Sequence, residues 1–115
     1  MFSIEIGREY VVYGITHYLG HLWYYICDED YTYFPIWNPS PLFRIIDDRL
    51  SIYWRIGIST IGNDNRMMPI ISFSEWVNSN AYYDQLTDGD KDAIAVFERY
   101  KQLMDQEAEN SRVSG

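Results

Sequence analysis

The chain has 115 residues and a mass of 13.7 kDa, which predicts one domain with a single hydrophobic core. Seventeen acidic and nine basic side chains give a formal charge of −8, which argues against binding to nucleic acids or to anionic membrane surfaces. A basic protein partner is compatible with this charge, because opposite charges speed encounter and align the two surfaces.

Cysteine content and the first residues indicate the cellular compartment. Cys27 is the only cysteine, so an internal disulfide is excluded, as is usual in a reducing cytoplasm. Residues 1–8 lack the basic leader and the long apolar run of a signal peptide. No segment reaches the ~18 apolar residues that a membrane helix needs. We therefore expect a cytoplasmic protein that does not enter a membrane.

The N-terminal part of the chain predicts short β-strands. Residues 2–6 alternate apolar and polar side chains, which is the period of a half-buried strand. β-branched and aromatic residues fill positions 9–16, where Gly14 indicates a bulge or a bend. After a loop at 17–20, residues 21–27 are expected to form the returning strand.

Residues 23–37 predict a hairpin of two aromatic strands around which the rest of the chain is organised. Its acidic turn contains Asp28, Glu29 and Asp30, residue types that favour turns over strands. Residues 1–60 hold 14 of the 20 aromatic residues, more than a core of this size needs, so some rings should be exposed. Strand alternation would bury Trp23, Tyr25 and Trp54, and would expose Tyr24, Tyr31, Tyr33 and Tyr53.

Beyond the hairpin, Pro39 and Pro41 predict a stiff corner, because neither residue can donate to a strand ladder. A further strand is predicted at residues 42–46 and a turn at 47–51. Residues 52–59 alternate strictly, and we expect Ile52, Trp54, Ile56 and Ile58 to face the core. Residues 67–71 are predicted to be one more extended piece.

The last third of the chain changes to the period of a helix. Ser72 and Glu75 match a capping box at the start of a short helix, and residues 81–86 add a second one. Thr87 is the predicted N-cap of the longest helix, whose apolar stripe should pack on the sheet. The stripe consists of Ala93, Val96, Phe97, Tyr100, Leu103 and Met104.

Strands followed by helices predict a single α+β domain over residues 1–108. The predicted sheet is curled and antiparallel, with five or six short strands and the shape of an SH3-like half-barrel, and the helices lie C-terminal to it. The chain turns polar from about Gln106, and residues 109–115 are expected to form a disordered tail.

No spacing of chemically reactive residues favours a catalytic or metal site. His17 and His21 flank a loop that contains glycine, and no third ligand completes a metal site. Cys27 lies in an apolar strand, where an unreactive buried thiol is expected. The acidic residues at 28–30 and 47–48 could pair as in a glycoside hydrolase, but solvated turn residues are the favoured interpretation. We expect no cofactor, no metal and no enzymatic activity.

Five stretches carry a resemblance to a known class of proteins. They are residues 9–15 (EYVVYGI), 24–29 (YYICDE), 35–43 (PIWNPSPLF), 48–51 (DRLS) and 97–101 (FERYK), in a small acidic chain with one cysteine. Together they resemble the immunity proteins of bacterial polymorphic toxin systems, including contact-dependent inhibition. The resemblance implies tight binding to one cognate toxin domain, often a nuclease, without a cofactor and without turnover.

The predicted partner-binding surface combines acidic turns with aromatic rings. Carboxylates would attract a basic toxin domain, and the rings would supply buried area. The residues are Asp28, Glu29, Asp30, Tyr31, Tyr33, Trp37, Asp47 and Asp48. Two alternatives remain open: an SH3-like module that binds peptides or small ligands in an aromatic groove, and a hydrolase with paired carboxylates.

Overall fold

The computed structural model describes residues 4–28, 33–61 and 66–113. Within these residues, five strands come first and three helices last, with a short 3₁₀ helix at Ser40–Leu42. The predicted α+β class is therefore confirmed. The strands are β1 (Gly14–Tyr18), β2 (His21–Ile26), β3 (Ile36–Pro39), β4 (Arg55–Ile61) and β5 (Arg66–Ser72), and the helices are α1 (Ser74–Val77), α2 (Tyr82–Thr87) and α3 (Lys91–Val113).

The five strands form one antiparallel sheet in the order β3-β2-β1-β5-β4. β1 lies in the middle, where Ile15 is opposite Tyr24 on one side and Ile71 on the other. The sheet stays open, with β3 and β4 at its edges, so it does not form the barrel suggested by the sequence. A two-residue turn, Leu19 (φ 52°) and Gly20 (φ 80°), joins β1 to β2, and two positive φ angles suit the twist of a tight hairpin.

The predicted aromatic hairpin is present, but its second arm begins later than expected. β2 and β3 pair with Trp23 opposite Pro39 and Tyr25 opposite Trp37. β3 starts at Ile36 because Pro35 has no N–H to donate to the ladder. The carbonyl oxygen of Pro35 instead accepts a hydrogen bond from the Tyr83 hydroxyl at 2.7 Å.

The core lies between one face of the sheet and the helices. Tyr25 and Ile70 contribute from the sheet, and Phe73 from the residue before α1. The rings of Phe73 and Tyr100 stack with centroids 4.3 Å apart and planes at 3°. The predicted stripe of α3 faces this core and places Ala93, Phe97 and Met104 among the buried residues, so its packing role is confirmed.

The strand predicted at residues 52–59 begins only at Arg55, and its Ile56 and Ile58 face away from the core that they were expected to enter. Trp54, just before the strand, is partly buried against the core, as predicted. Ile56 and Ile58 are 70% and 55% exposed, and Ile52, just before the strand, is 73% exposed. The side of β4 that faces the helices carries Gly57, and the Cβ that it lacks would lie 2.6 Å from the carbonyl oxygen of Val77. α1 therefore packs against bare backbone, and the isoleucines point away from the core.

Two further strand predictions are wrong. Residues 42–46, expected to be a strand, include only the end of the 3₁₀ helix and an irregular segment. Pro41 lies in the first turn of that helix, where proline fits. Phe43 then covers Tyr24 with ring centroids 5.8 Å apart, so Tyr24 is only 8% exposed rather than on the surface. Residues 4–6 are not a strand, and the predicted strand at 9–16 begins only at Gly14.

Both predicted helix caps belong to other structures. Ser72 is the last residue of β5, and its hydroxyl donates to the carbonyl oxygen of Tyr13 at 2.6 Å. Thr87 ends α2, whereas Asp90 accepts hydrogen bonds from the backbone N–H groups of Asp92 (2.8 Å) and Ala93 (3.5 Å). Asp90 therefore provides the cap of α3. This helix continues to Val113, past the predicted boundary at residue 108.

Candidate protein-binding surface

The β2–β3 connection holds five of the predicted contact residues, and a sixth, Trp37, follows in β3. Tyr33 is 53% exposed, with its ring edge-on to Phe34 at 4.6 Å, and Trp37 is half-buried. Asp28 is only 5% exposed, so the expectation of an exposed acidic turn is wrong for this residue. Predictions for Glu29, Asp30 and Tyr31 lie outside the described residues.

The other predicted acidic residues lie in the irregular segment before β4. Asp47 and Asp48 are both exposed. The Arg49 guanidinium donates to both carboxylate oxygens of Asp47 at 3.1 Å, and the Arg49 backbone N–H donates to Oδ1 at 3.2 Å. Arg44 lies three residues before Asp47 in the sequence and is also exposed. The charge of Asp47 is therefore balanced by Arg49, and residues 44–49 are not a purely acidic segment, because they contain two arginines and two aspartates.

A hydrogen bond joins the β2–β3 connection to helix α2. The Tyr83 hydroxyl donates to the carbonyl oxygen of Pro35, and the rings of Tyr83 and Tyr25 meet edge to face at 5.3 Å. Tyr25 in turn stacks with Trp37 at 6.2 Å. These contacts place α2 beside residues 33–37. Asp84, the next residue of α2, is exposed, so a carboxylate lies on the helix that borders these rings.

The densest negative charge of the described residues lies on α2, α3 and the turn between them. Residues 82–113 contain eight acidic and four basic side chains, a net −4 from a total of −8. Asp84, Asp88, Asp90 and Asp92 are all exposed. The sequence shows this run, but its acidic residues were assigned only to the favourable end of a helix dipole. The Tyr83 contact that holds α2, and with it Asp84, against residues 33–37 is not revealed by spacing alone.

We define the loop–α2 surface as Tyr33, Trp37, Asp84 and Asp88. It combines one well-exposed ring, one half-buried ring and two exposed carboxylates. Tyr and Trp are the residue types most enriched at the centres of protein interfaces, and carboxylates at the rim guide a basic partner. The arrangement suits recognition of a basic protein surface.

A second aromatic feature continues from Trp37 along the sheet. The ring centroid of Trp37 lies 5.6 Å from that of Tyr18 and 4.7 Å from that of Trp23, and the ring planes meet at 29° and 33°, respectively. The Trp23 indole N–H donates to the carbonyl oxygen of Tyr18 at 2.9 Å, which fixes the row. All three rings are half-buried. We call this set the aromatic row.

Exposed aliphatic side chains form a third surface feature, which the sequence did not predict. They are concentrated in the irregular segment before β4 and on the β4–β5 hairpin. Exposed apolar groups concentrated in this way mark interaction surfaces in soluble proteins. The residues are Ile45, Ile46, Leu50, Ile52, Ile56, Ile58 and Met67, each at least 55% exposed.

A cleft of about 320 Å³ lies where the N-terminal segment meets α3. Asp105 accepts a hydrogen bond from the Tyr13 hydroxyl at 2.6 Å, and its other oxygen pairs with Lys101 at 2.8 Å. Burial, with help from Asp105, raises the pKa of the Tyr13 hydroxyl. Asp28 also lines the cleft and is buried, but the Asp105 side chain is 39% exposed. The cleft therefore holds an ion-pair network and not the two buried carboxyl groups that a glycosidase interpretation requires.

Cys27 lines the same cleft. Burial raises the pKa of its thiol to about 12, which keeps the thiol protonated at neutral pH and supports the prediction of an unreactive side chain. His17 and His21 are exposed on either side of the β1–β2 turn. Within residues 4–28, 33–61 and 66–113, no three His, Cys, Asp or Glu side chains gather as a metal site would require.

Comparison with known proteins gives no relative. No family model, no curated protein and no solved structure matches this chain. Across the helices that the structure describes, none has both the length and the apolar character needed to cross a bilayer.

Proposed function

We propose that this chain is an immunity protein that binds and neutralises a basic toxin domain, such as a nuclease, by covering its functional surface. The observation that carries the proposal is the hydrogen bond from the Tyr83 hydroxyl to the Pro35 carbonyl oxygen, which holds α2, with its exposed Asp84, against the segment between Tyr33 and Trp37. The resemblance found in the sequence gives the class of partner, and the loop–α2 surface gives the chemistry of the contact.

The charge of this surface matches the partner's chemistry. A nuclease domain carries a basic face for its phosphate substrate. Asp84 and Asp88 are exposed and would steer such a face during encounter. Steering mainly affects the association rate, so the carboxylates account for speed and orientation more than for the final affinity.

The aromatic residues would supply most of the binding energy. Tyr33 and Trp37 are partly exposed, and large rings that become buried are the usual source of binding energy at an interface. Glu29, Asp30 and Tyr31 lie in the same connection along the sequence and belong to the proposed contact on the sequence argument alone. Asp28 is excluded from it, because its side chain is buried in the free protein.

The test is neutralisation of a defined toxin domain in a bacterial host. A tagged full chain captures its partner from the native cell, mass spectrometry identifies it, and the captured domain is then expressed alone and with this chain. The proposal expects growth arrest with the domain alone and normal growth when this chain is co-expressed. A captured partner that is harmless, or arrest that co-expression does not relieve, would contradict the proposal.

A peptide-binding module is a second candidate, favoured by the aromatic row. Half-buried stacked rings at the end of a sheet resemble the grooves in which extended proline-rich segments bind. Micromolar binding of short proline-rich peptides, lost in Trp23→Ala, would favour this function. Neutralisation of a folded toxin domain with no affinity for such peptides would favour the first.

A further inference from the structure

Strand β4 lies at an open edge of the sheet and presents aliphatic side chains to solvent. Ile56 and Ile58 are 70% and 55% exposed on the face opposite the helices. Met67 on the neighbouring strand is 74% exposed. Natural proteins usually protect such an edge with charges, prolines or bulges, because it otherwise pairs with another chain. Arg55, the first residue of β4, is the only charged residue in the strand.

The backbone of β4 is also available along its outer side. Its ladder runs over all seven residues with β5, from Arg55 opposite Ser72 to Ile61 opposite Arg66. In an antiparallel edge strand, every second residue directs its N–H and C=O away from the sheet. Among the described residues, no loop or helix backbone group bonds to the β4 backbone.

The charge around this edge favours a second copy over a charged partner. β4 carries one charged residue in seven, Arg55, while the whole chain carries −8. Two copies can therefore pair along β4 with only one arginine from each strand at the contact. A basic partner would instead be drawn to residues 82–113.

The sequence of β4 also suits pairing with itself. In a seven-residue strand, antiparallel two-fold pairing places Ile58 opposite Ile58 of the second copy and Arg55 opposite Ile61. No two arginines then face each other, and the exposed isoleucines of both copies form one apolar row. We propose that this protein forms a two-fold dimer in which the two β4 strands pair around Ile58 and extend the sheet to ten strands.

Mass measurement by light scattering, over a range of protein concentrations, tests the dimer on the full chain. We expect a species of about twice 13.7 kDa that dissociates on dilution. Ile58→Lys should raise the dimer dissociation constant by about tenfold or more, because two like charges would lie directly opposite each other. Leu22→Lys is the matched control: Leu22 is 45% exposed but lies on interior strand β2, and this variant should dimerise like the wild type.

A disulfide test checks the register independently of whether Ile58→Lys folds. In a Cys27→Ala background, Ile58→Cys should form a covalent dimer under mild oxidation, because directly opposite Cβ atoms lie about 5 Å apart. Met67→Cys, on β5, should cross-link far more slowly. A wild-type mass of 13.7 kDa at every concentration would overturn the proposal. Dimerisation that Ile58→Lys leaves intact, or equal cross-linking at both positions, would overturn it as well.

Discussion

A methyl group at position 57 would lie 2.6 Å from the carbonyl oxygen of Val77 and 3.1 Å from its Cβ. Real side chains do not approach backbone oxygen so closely, so either α1 or β4 would have to move. Gly57 is therefore the residue that lets α1 pack directly on β4. Its role is steric and does not depend on an unusual backbone angle, since its φ is not positive.

Gly57→Ala should destabilise the fold by about 1–3 kcal/mol, because the added methyl group overpacks the contact between α1 and β4. Urea unfolding at neutral pH measures the change. Ile56→Ala is the matched control on the neighbouring residue, whose side chain is 70% exposed, and at a protein concentration where the chain is monomeric it should stay within about 0.5 kcal/mol of the wild type. Equal stability of Gly57→Ala and the wild type would show that α1 does not pack on β4 as described.

At the scale of whole elements, Glu75 connects α1 to α3. Its carboxylate accepts hydrogen bonds from the Tyr100 hydroxyl at 2.9 Å and from the Arg99 guanidinium at 2.8 Å. The Ser74 hydroxyl adds a third at 2.7 Å. Partial burial acts to raise the pKa of Glu75, but these bonds and the positive charge of Arg99 outweigh it, and the pKa lies below its ordinary value.

This shift predicts how stability depends on pH. A carboxyl group with a lowered pKa in the folded state stabilises the fold above its unfolded-state pKa, and this contribution is lost as pH falls through the folded-state pKa. Glu75→Gln should therefore flatten the loss of stability below about pH 5. The change should be under about 1 kcal/mol, because the Arg99 and Glu75 side chains are 59% and 37% exposed and the pair is screened.

Thermal unfolding from about pH 6 to about pH 3 measures the effect, since this range spans the ordinary pKa of a glutamate carboxyl and extends below it. Glu98→Gln is the control: it changes an exposed glutamate on α3, and its stability should fall with pH as steeply as that of the wild type. A Glu75→Gln variant with an unchanged acid profile would mean that the three hydrogen bonds do not favour the ionised carboxylate.

The elements also show how far sequence patterns reach. Period and composition predicted the antiparallel hairpins, the α+β order and the stripe of α3. They could not predict which face of β4 is buried, because alternation defines two faces and only the packing of Val77 on Gly57 chooses between them. The predicted caps failed for a similar reason, because tertiary structure uses both residues elsewhere: Ser72 ends β5 and donates to the Tyr13 carbonyl oxygen, and Thr87 ends α2, so Asp90 caps α3.

The residues predicted for the contact differ in their exposure. Tyr33 in the β2–β3 connection and Trp37 in β3 are both partly exposed. Of the acidic residues, Asp28 is buried, Asp47 is paired with Arg49, and Asp48 is exposed. Sequence reasoning could count carboxylates, but the Tyr83 hydrogen bond that brings α2 beside the rings is a tertiary contact between residues far apart in the chain.

At the scale of the whole molecule, the two proposed contacts lie at opposite edges of the sheet. β4 forms one edge and carries the exposed Ile56 and Ile58, whereas β3, with Trp37, forms the other. A dimer through β4 would use the first edge, and a basic toxin domain would bind beside the second, near α2. The two proposals thus place a second copy and a toxin domain on different surfaces, so they can be tested separately.

Charge reversal distinguishes the acidic surface from the effect of total charge. The double variant Asp84→Lys, Asp88→Lys should slow association with the toxin domain by about tenfold or more at low salt and flatten its salt dependence, because the steering field is reversed. The double variant Asp47→Lys, Asp48→Lys changes the net charge equally but lies among arginines, and it should have a smaller effect.

Stopped-flow measurement of the association rate from about 20 to about 500 mM salt tests both variants, since screening weakens steering across this range. Equal slowing by the two variants would show that only net charge matters, and the loop–α2 surface would then not be the contact.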